Sequence, residues 1–311
     1  MVLSILTMSR LHCLILGGLL FLVSAVSSAS RTHQIALVDQ FYPGDQYFKS
    51  DTERQHHTVL HSFIDIDADQ QREPLYHGDI VSRLVSHPDI EIRRFPIQQG
   101  QLPIAEILRN LVEIRKYVFW QEPIEAVLLP WESSTLISAF SDSLNPEQVD
   151  QYVATLSTWG RTDPVWKLTF QIISVLEDIV DYGVPVYTIA GNGGSRMVNT
   201  YSFARGVTTV GATEQELRHF VADNVFVDDY ANAAYWLRRV DNALGEPVGY
   251  DINDDHCPDI QVAELTGYQP GSARQQLPKT YWKVLRGSSF AASAAVRRDM
   301  VGSVPPEVCQ Y

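Results

Sequence analysis

The chain has 311 residues, with 37 Asp and Glu against 24 Lys and Arg, for a net charge of −13. So acidic a surface argues against nucleic acid and anionic membrane as partners. With 45 % hydrophobic residues and no internal repeat or low-complexity tract, it has the material for one large core, not for a solenoid or a disordered chain.

The first segment reads "MVLSILTMSRLHCLILGGLLFLVSAVSSAS". One base, Arg10, precedes an apolar run that ends in small residues, the layout of a secretory signal. Cleavage is expected after Ala29, with Met8 an alternative start. The run is short for a membrane span, and no basic stop-transfer cluster follows it. Residues 30–311 are therefore expected to form a single domain, secreted or periplasmic, with no membrane attachment after cleavage. Cys257 and Cys309 remain after the cut, and an oxidising compartment leaves a disulfide between them open.

The elements follow in order. "HQIALVDQF" is a short apolar run ending at Asp39, suited to a buried strand. "HHTVLH" places His57 and His61 one helical turn apart; without a third ligand, a solvated surface helix is favoured over zinc. "HGDIVSRLV", from His77, carries a helical stripe of Ile80, Val81, Leu84 and Val85. "IEIRRFPI" is a strand, and "PIAEILRNLVEIRKYV" is a helix with Pro103 at its first position. "IEAVLLP" is a strand, residues 165–181 are a helix closed by Gly183, and "VPVYTIAGNGG" is a strand entering a glycine turn. "GVTTVGAT" is another strand, "WLRRVDNAL" a short amphipathic helix, and "LRGSSFAASAAV" leads into a last, small-residue helix. Alternating strands and helices predict an α/β fold of three layers: a mostly parallel, twisted sheet with helices on both faces. In such sheets functional groups gather at the carboxyl ends of the strands, where Asp39 and Asn192 fall.

Four polar residues now stand out in chain order: Asp39 ending a strand, His77 starting a helix, Asn192 after a later strand, Ser289 starting the final helix. This order and setting resemble the subtilisin-like serine proteases, or subtilases. The family's aspartate lies in V-x-D-(S/T)-G, here "ALVDQF"; its histidine in H-G-T-H-V-A-G, here "HGDIVSR". Its oxyanion asparagine lies in A-A-G-N, here "IAGNGG"; its serine in G-T-S-M-A-x-P, here "GSSFAAS", with Ser288 in the threonine's place. "PDIQVAELTG" is similar to the family's P-D-V-x-A-P-G segment. The resemblance runs from residue 35 to about 300 and implies a subtilisin-like fold and a serine endopeptidase acting on a protein or peptide. It implies Ser289 as nucleophile, His77 as general base, Asp39 to orient the imidazole, and Asn192 in the oxyanion hole. It places Trp131, Glu132 and Gly191 at the walls of the substrate groove.

Departures accompany the match. Gln40 and Phe41 replace the small residue and glycine after the aspartate, Asp79 and Ile80 replace the threonine and second histidine, and Ser293 replaces the proline. Asp39 lies so soon after Ala29 that no inhibitory propeptide of the usual kind is expected between them. The alternative is a subtilase fold kept as a catalytically weak or inactive secreted binding protein. No cofactor is expected to be required. The acidic runs "VDDY" and "DINDDH" are candidates for calcium but match no EF-hand loop, so no metal ligand is assigned. A dinucleotide site fails because Arg196 stands where G-x-G-x-x-G needs glycine, and an α/β-hydrolase fails because the last histidine, His256, precedes Ser289.

Overall fold

The computed structural model describes residues 32–62, 64–267, 277–280 and 284–302. Its centre is a six-stranded parallel sheet. The strands are β1 (His33–Asp39), β2 (Ile90–Pro96), β3 (Ala126–Leu129), β5 (Val186–Ile189), β7 (Thr208–Ala212) and β8 (Asp229–Ala231), in spatial order β2-β1-β3-β5-β7-β8. Every pairing within it is parallel. Apart from this sheet, β4 (Ser134–Leu136) and β6 (Met197–Asn199) form a small antiparallel pair.

The chain starts at β1, steps outward to β2, then reverses across the sheet to β3. Because parallel crossovers keep one hand, that reversal sends successive helices to opposite faces and opens a crevice beyond the ends of β1 and β3. α1 (Asp51–His61) and α2 (His77–Val85) lie between β1 and β2; α3 (Pro103–Phe119) lies between β2 and β3. α4 (Val149–Trp159) and α5 (Pro164–Asp181) precede β5, and α6 (Ser288–Val301) is the last element. α5 starts where Asp163 accepts the Val165 N–H at 2.8 Å, with Pro164 at the first helical position.

Strand periodicity sorts the core into two layers. Ile35 and Leu37 of β1, Leu128 of β3 and Ile189 of β5 pack with Ile80, Val81, Leu84, Phe290 and Ala291 of α2 and α6. Ala36, Val38, Val127, Leu129 and Val186 pack on the other face with Ile107, Leu111, Ile114, Ile172 and Leu176 of α3 and α5. Alternation places Asp39 on the same face of β1 as Ile35 and Leu37, the face that carries α2 and α6. The three-layer α/β architecture expected from the sequence is the one found.

One expected element is different. Residues 236–244 do not form a helix: Arg238–Asp241 is strand β10, antiparallel to β11 (Pro247–Asp251), which pairs β12 (Ile260–Gln261). Asn242 is the reason. Its Oδ1 accepts the N–H groups of Leu244 and Glu246, and Gly245 takes φ +79°, so the chain turns where a helix would continue. Upstream, β9 (Ala234–Tyr235) pairs antiparallel with β13 (Leu285–Arg286), and the Gly287 N–H donates to the Ala233 carbonyl at 3.0 Å. That clamp delivers the start of α6 to the sheet.

Among the described residues no helix is long and apolar enough to cross a membrane. The expected signal, residues 1–29, lies outside the described residues. Cys257 is disulfide-bonded, and Cys309 also lies outside the described residues.

Candidate active site

Three side chains from β1, α2 and α6 meet at the crevice. The Asp39 Oδ2 lies 2.8 Å from His77 Nδ1, and His77 Nε2 lies 3.0 Å from Ser289 Oγ. Asp39 is fully buried and Ser289 is 4 % exposed, while the His77 side chain keeps 31 % of its surface open. A buried carboxylate, a reachable ring and a shielded hydroxyl are thus strung in one line.

Local sequence explains how α2 comes close enough. A Cβ on Gly78 would sit 2.7 Å from the Gln40 carbonyl oxygen and 2.8 Å from the Asp39 Cβ. Glycine after His77 therefore lets the helix start touch the end of β1, and the Gly78 N–H donates to Gln40 O at 2.8 Å. Asp79 fixes the same junction. Its Oδ2 accepts the N–H groups of Tyr42 and Tyr76 at 2.8 and 3.0 Å, and Arg94 lies 3.3 Å from its Oδ1. The acid found where the resemblance has threonine thus caps α2 and ties down the segment after Asp39.

Asp39 Oδ1 is also satisfied: it accepts the Gln40 N–H at 2.7 Å and the Trp131 indole N–H at 3.0 Å. Both donors fix the carboxylate with Oδ2 facing His77. Burial disfavours charge on the His77 ring, but the adjacent Asp39 charge and its hydrogen bond outweigh burial, so the imidazole lies above its ordinary value. Phe290 stacks beside the ring at 6.1 Å between centroids.

Asn192 reaches the site from the turn after β5. Its Oδ1 accepts both the N–H of Ser288 at 2.9 Å and the Ser288 hydroxyl at 3.1 Å. With the oxygen held, its Nδ2 is left with no partner among the described residues. A Cβ on Gly287 would lie 3.3 Å from Ser289 Oγ and 3.8 Å from Asn192 Nδ2, so the missing side chain keeps the space between them open. That space lies at the N-terminus of a 14-residue helix, where the helix dipole favours negative charge.

The three expected groove residues are placed as follows. Trp131 is anchored to Asp39 by its indole. Glu132 Oε2 accepts the Asn192 N–H at 2.9 Å and the Ser134 hydroxyl at 2.6 Å, leaving an exposed carboxylate at the crevice rim. Gly191 takes φ +102°, and a side chain there would collide with Glu132. Sequence reasoning assigned no work to Ser288, Trp131's indole or Asp79. "SS" and "LLPW" hold no pattern for them, because their partners are 96 and 92 residues away.

The remaining candidates are used structurally. His57 Nδ1 pairs with Gln99 Oε1 at 2.6 Å, and His61 packs on Tyr76. In "VDDY", Asp228 accepts the Thr209 N–H and Asp229 pairs with Arg298. Among the described residues, groups of three side chains able to share a metal are all carboxylates: Asp65, Asp67 and Glu73, and Asp251, Asp255 and Asp259.

No family model and no curated protein matches the sequence. Solved structures do match at low likeness. The nisin leader peptidase NisP from Lactococcus lactis is 10 % identical with a TM-score of 0.44, over 86 % of this chain and 76 % of that one. The epidermin leader peptide processing serine protease EpiP from Staphylococcus aureus is 10 % identical with a TM-score of 0.46, over 87 % of this chain and 64 % of that one. The PatG macrocyclase in complex with peptide is 12 % identical with a TM-score of 0.43, over 86 % and 74 %. Likeness of this degree carries no inference about chemistry, which rests on the side chains themselves.

Proposed function

We propose that the chain is a subtilisin-like serine endopeptidase that hydrolyses peptide bonds through an acyl-enzyme on Ser289. One observation carries this: a single imidazole, His77, bridges a buried carboxylate at 2.8 Å and a serine hydroxyl at 3.0 Å. A serine hydroxyl attacks a carbonyl only when a positioned base takes its proton, and Nε2 stands ready to do so.

In the first step the Ser289 proton moves to His77 Nε2 as Oγ bonds to the substrate carbonyl carbon. Asp39 holds the ring with Nδ1 protonated and stabilises the imidazolium that forms. The oxygen, now negative, takes a hydrogen bond from Asn192 Nδ2, a reading supported by Ser288 holding the other end of that amide through Oδ1. His77 then hands its proton to the leaving amine, and water repeats the sequence on the acyl-enzyme. No metal or cofactor enters these steps. The substrate is a protein or peptide, and we further propose that residues 1–29 direct export to a secreted or periplasmic location.

A fluorophosphonate probe tests the assignment directly. Labelling should map to Ser289 by mass spectrometry, and Ser289→Ala should lose both the label and hydrolysis of unfolded protein. A wild-type chain that neither labels nor cleaves would turn the reading toward a binding protein on the same fold.

A further inference from the structure

An acid stands on the turn that carries Asn192. Glu132 follows Trp131 beyond the end of β3, and its Oε2 accepts the N–H of Asn192 at 2.9 Å and the hydroxyl of Ser134 at 2.6 Å. A Cβ on Gly191 would collide with that oxygen and lie 2.9 Å from Ser134 Oγ, so a glycine at φ +102° is what lets the carboxylate rest against the turn. Held by a backbone amide and a hydroxyl, with bare backbone beside it, the side chain is fixed in direction although Glu132 is exposed. A surface acid that is merely solvated needs none of these restraints.

The charge on that side chain is unanswered. Asp39 meets the His77 ring and Asp79 meets the Arg94 guanidinium, but Glu132 forms no ion pair among the described residues. Arg196, the base carried by the same turn, pairs with no carboxylate among them either. Such a charge works against the proposed chemistry. With Asn192 Nδ2 donating to the negative oxygen, a carboxylate on the N–H of the same residue repels that oxygen and raises the barrier for a neutral substrate. A cation brought by the substrate reverses the effect. It pairs with Glu132 on binding, and it cancels the repulsion as the oxygen gains charge.

We propose that Glu132 sets the specificity of the site, selecting substrates with lysine or arginine at the residue that supplies the scissile carbonyl; this rests on the serine endopeptidase reading above. The attacked carbonyl and Glu132 share one anchor, Asn192, which brings the side chain of the attacked residue within the carboxylate's reach. Glu132 Oε1 makes no hydrogen bond among the described residues and is free to accept from an ammonium or from one arm of a guanidinium. A glutamate at the same substrate position would meet a like charge and be rejected. The net charge of −13 draws basic segments toward the protein in general, but only a fixed carboxylate chooses which bond is cut.

The test uses the full chain and peptide nitroanilides that differ only at the residue supplying the scissile carbonyl: lysine, arginine, glutamine, leucine or glutamate. Lysine and arginine should give a kcat/KM about tenfold to a hundredfold above glutamine and leucine, the range of a hydrogen bond to a charged group, with glutamate lowest. Glu132→Gln keeps an acceptor for Asn192 and Ser134 but loses the charge. It should abolish the basic preference and raise kcat on the leucine peptide above that of the wild type, because the repulsion is gone. Glu147→Gln removes the same charge from an exposed site ahead of α4 and should leave the preference unchanged. A role limited to holding Asn192 predicts an equal loss on every peptide in Glu132→Gln, and that result would overturn the proposal. The wild-type series decides alone should Glu132→Gln fold poorly, since no basic preference there also overturns it. Fluorophosphonate labelling separates the two readings. A chain labelled at Ser289 but without the preference removes only the role of Glu132, whereas a chain that neither labels nor cleaves removes both.

Discussion

Ser288 offers the sharpest test of how the proposed oxyanion site is built. It is completely buried, and both its N–H and its hydroxyl donate to Asn192 Oδ1, at 2.9 and 3.1 Å. Ser288→Ala keeps the first bond and removes the second. A neutral hydrogen bond is worth about 1 kcal/mol net, which corresponds to about fivefold in rate if all of it serves to orient the Asn192 amide. Asn192→Ala removes the donor itself and should cost about a hundredfold to a thousandfold in kcat. KM should change little in either variant, because the bond to the oxygen strengthens only as charge develops there. The assay is steady-state hydrolysis of a peptide substrate by both single variants and the double variant. Since Ser288 acts through Asn192, Ser288→Ala should add nothing once Asn192 is alanine. A further fivefold loss in the double variant would refute the coupling. A loss in Ser288→Ala as deep as that of Ser289→Ala would instead show that Ser288 is the nucleophile.

The other predictions concern the aspartate side of the site. His77 must be neutral to accept a proton and lies above the ordinary imidazole value, so kcat/KM should rise with pH through an inflection displaced upward. Asp39→Asn should move that inflection down and cut kcat steeply; an unmoved inflection would separate Asp39 from His77. Trp131→Phe takes a donor from Asp39 Oδ1, leaving the carboxylate to bond more strongly with His77. The inflection should then move up, with activity falling about tenfold from a bond to a charged group, whereas a change in KM alone would return Trp131 to substrate binding. Gly78→Ala puts a methyl 2.7 Å from a backbone carbonyl, which should lower stability by about 1–3 kcal/mol in a denaturant melt. An unaltered melt would mean that α2 shifts freely away from β1.

The order of strands and helices was legible because each hydrophobic period repeats locally. Ile35, Leu37 and Asp39 share a strand face by alternation alone, and the α2 stripe turns its apolar side to that face. Once both periods are known, Asp39 and the start of α2 must lie near each other. The strand at Arg238–Asp241 was not legible that way, because its apolar positions fit a helix and only Asn242 and Gly245 decide for a turn. Side-chain work was least legible of all. Trp131 looks like a bulky groove wall in "LLPWESS", and nothing local says that its indole nitrogen meets a carboxylate 92 residues earlier.

The acidic loops at 65–73 and 251–259 show the same limit at its finest scale. Read as composition, "DINDDH" stands out as an acidic run, while residues 65–73 are not singled out. Folded, the balance inverts, because one residue decides it: Asn253 donates where Asp67 can only accept. Whether a cluster of carboxylates is complete or in want of a cation depends on donors brought from elsewhere, such as Arg297 from α6. Charge counts along a chain cannot see those donors.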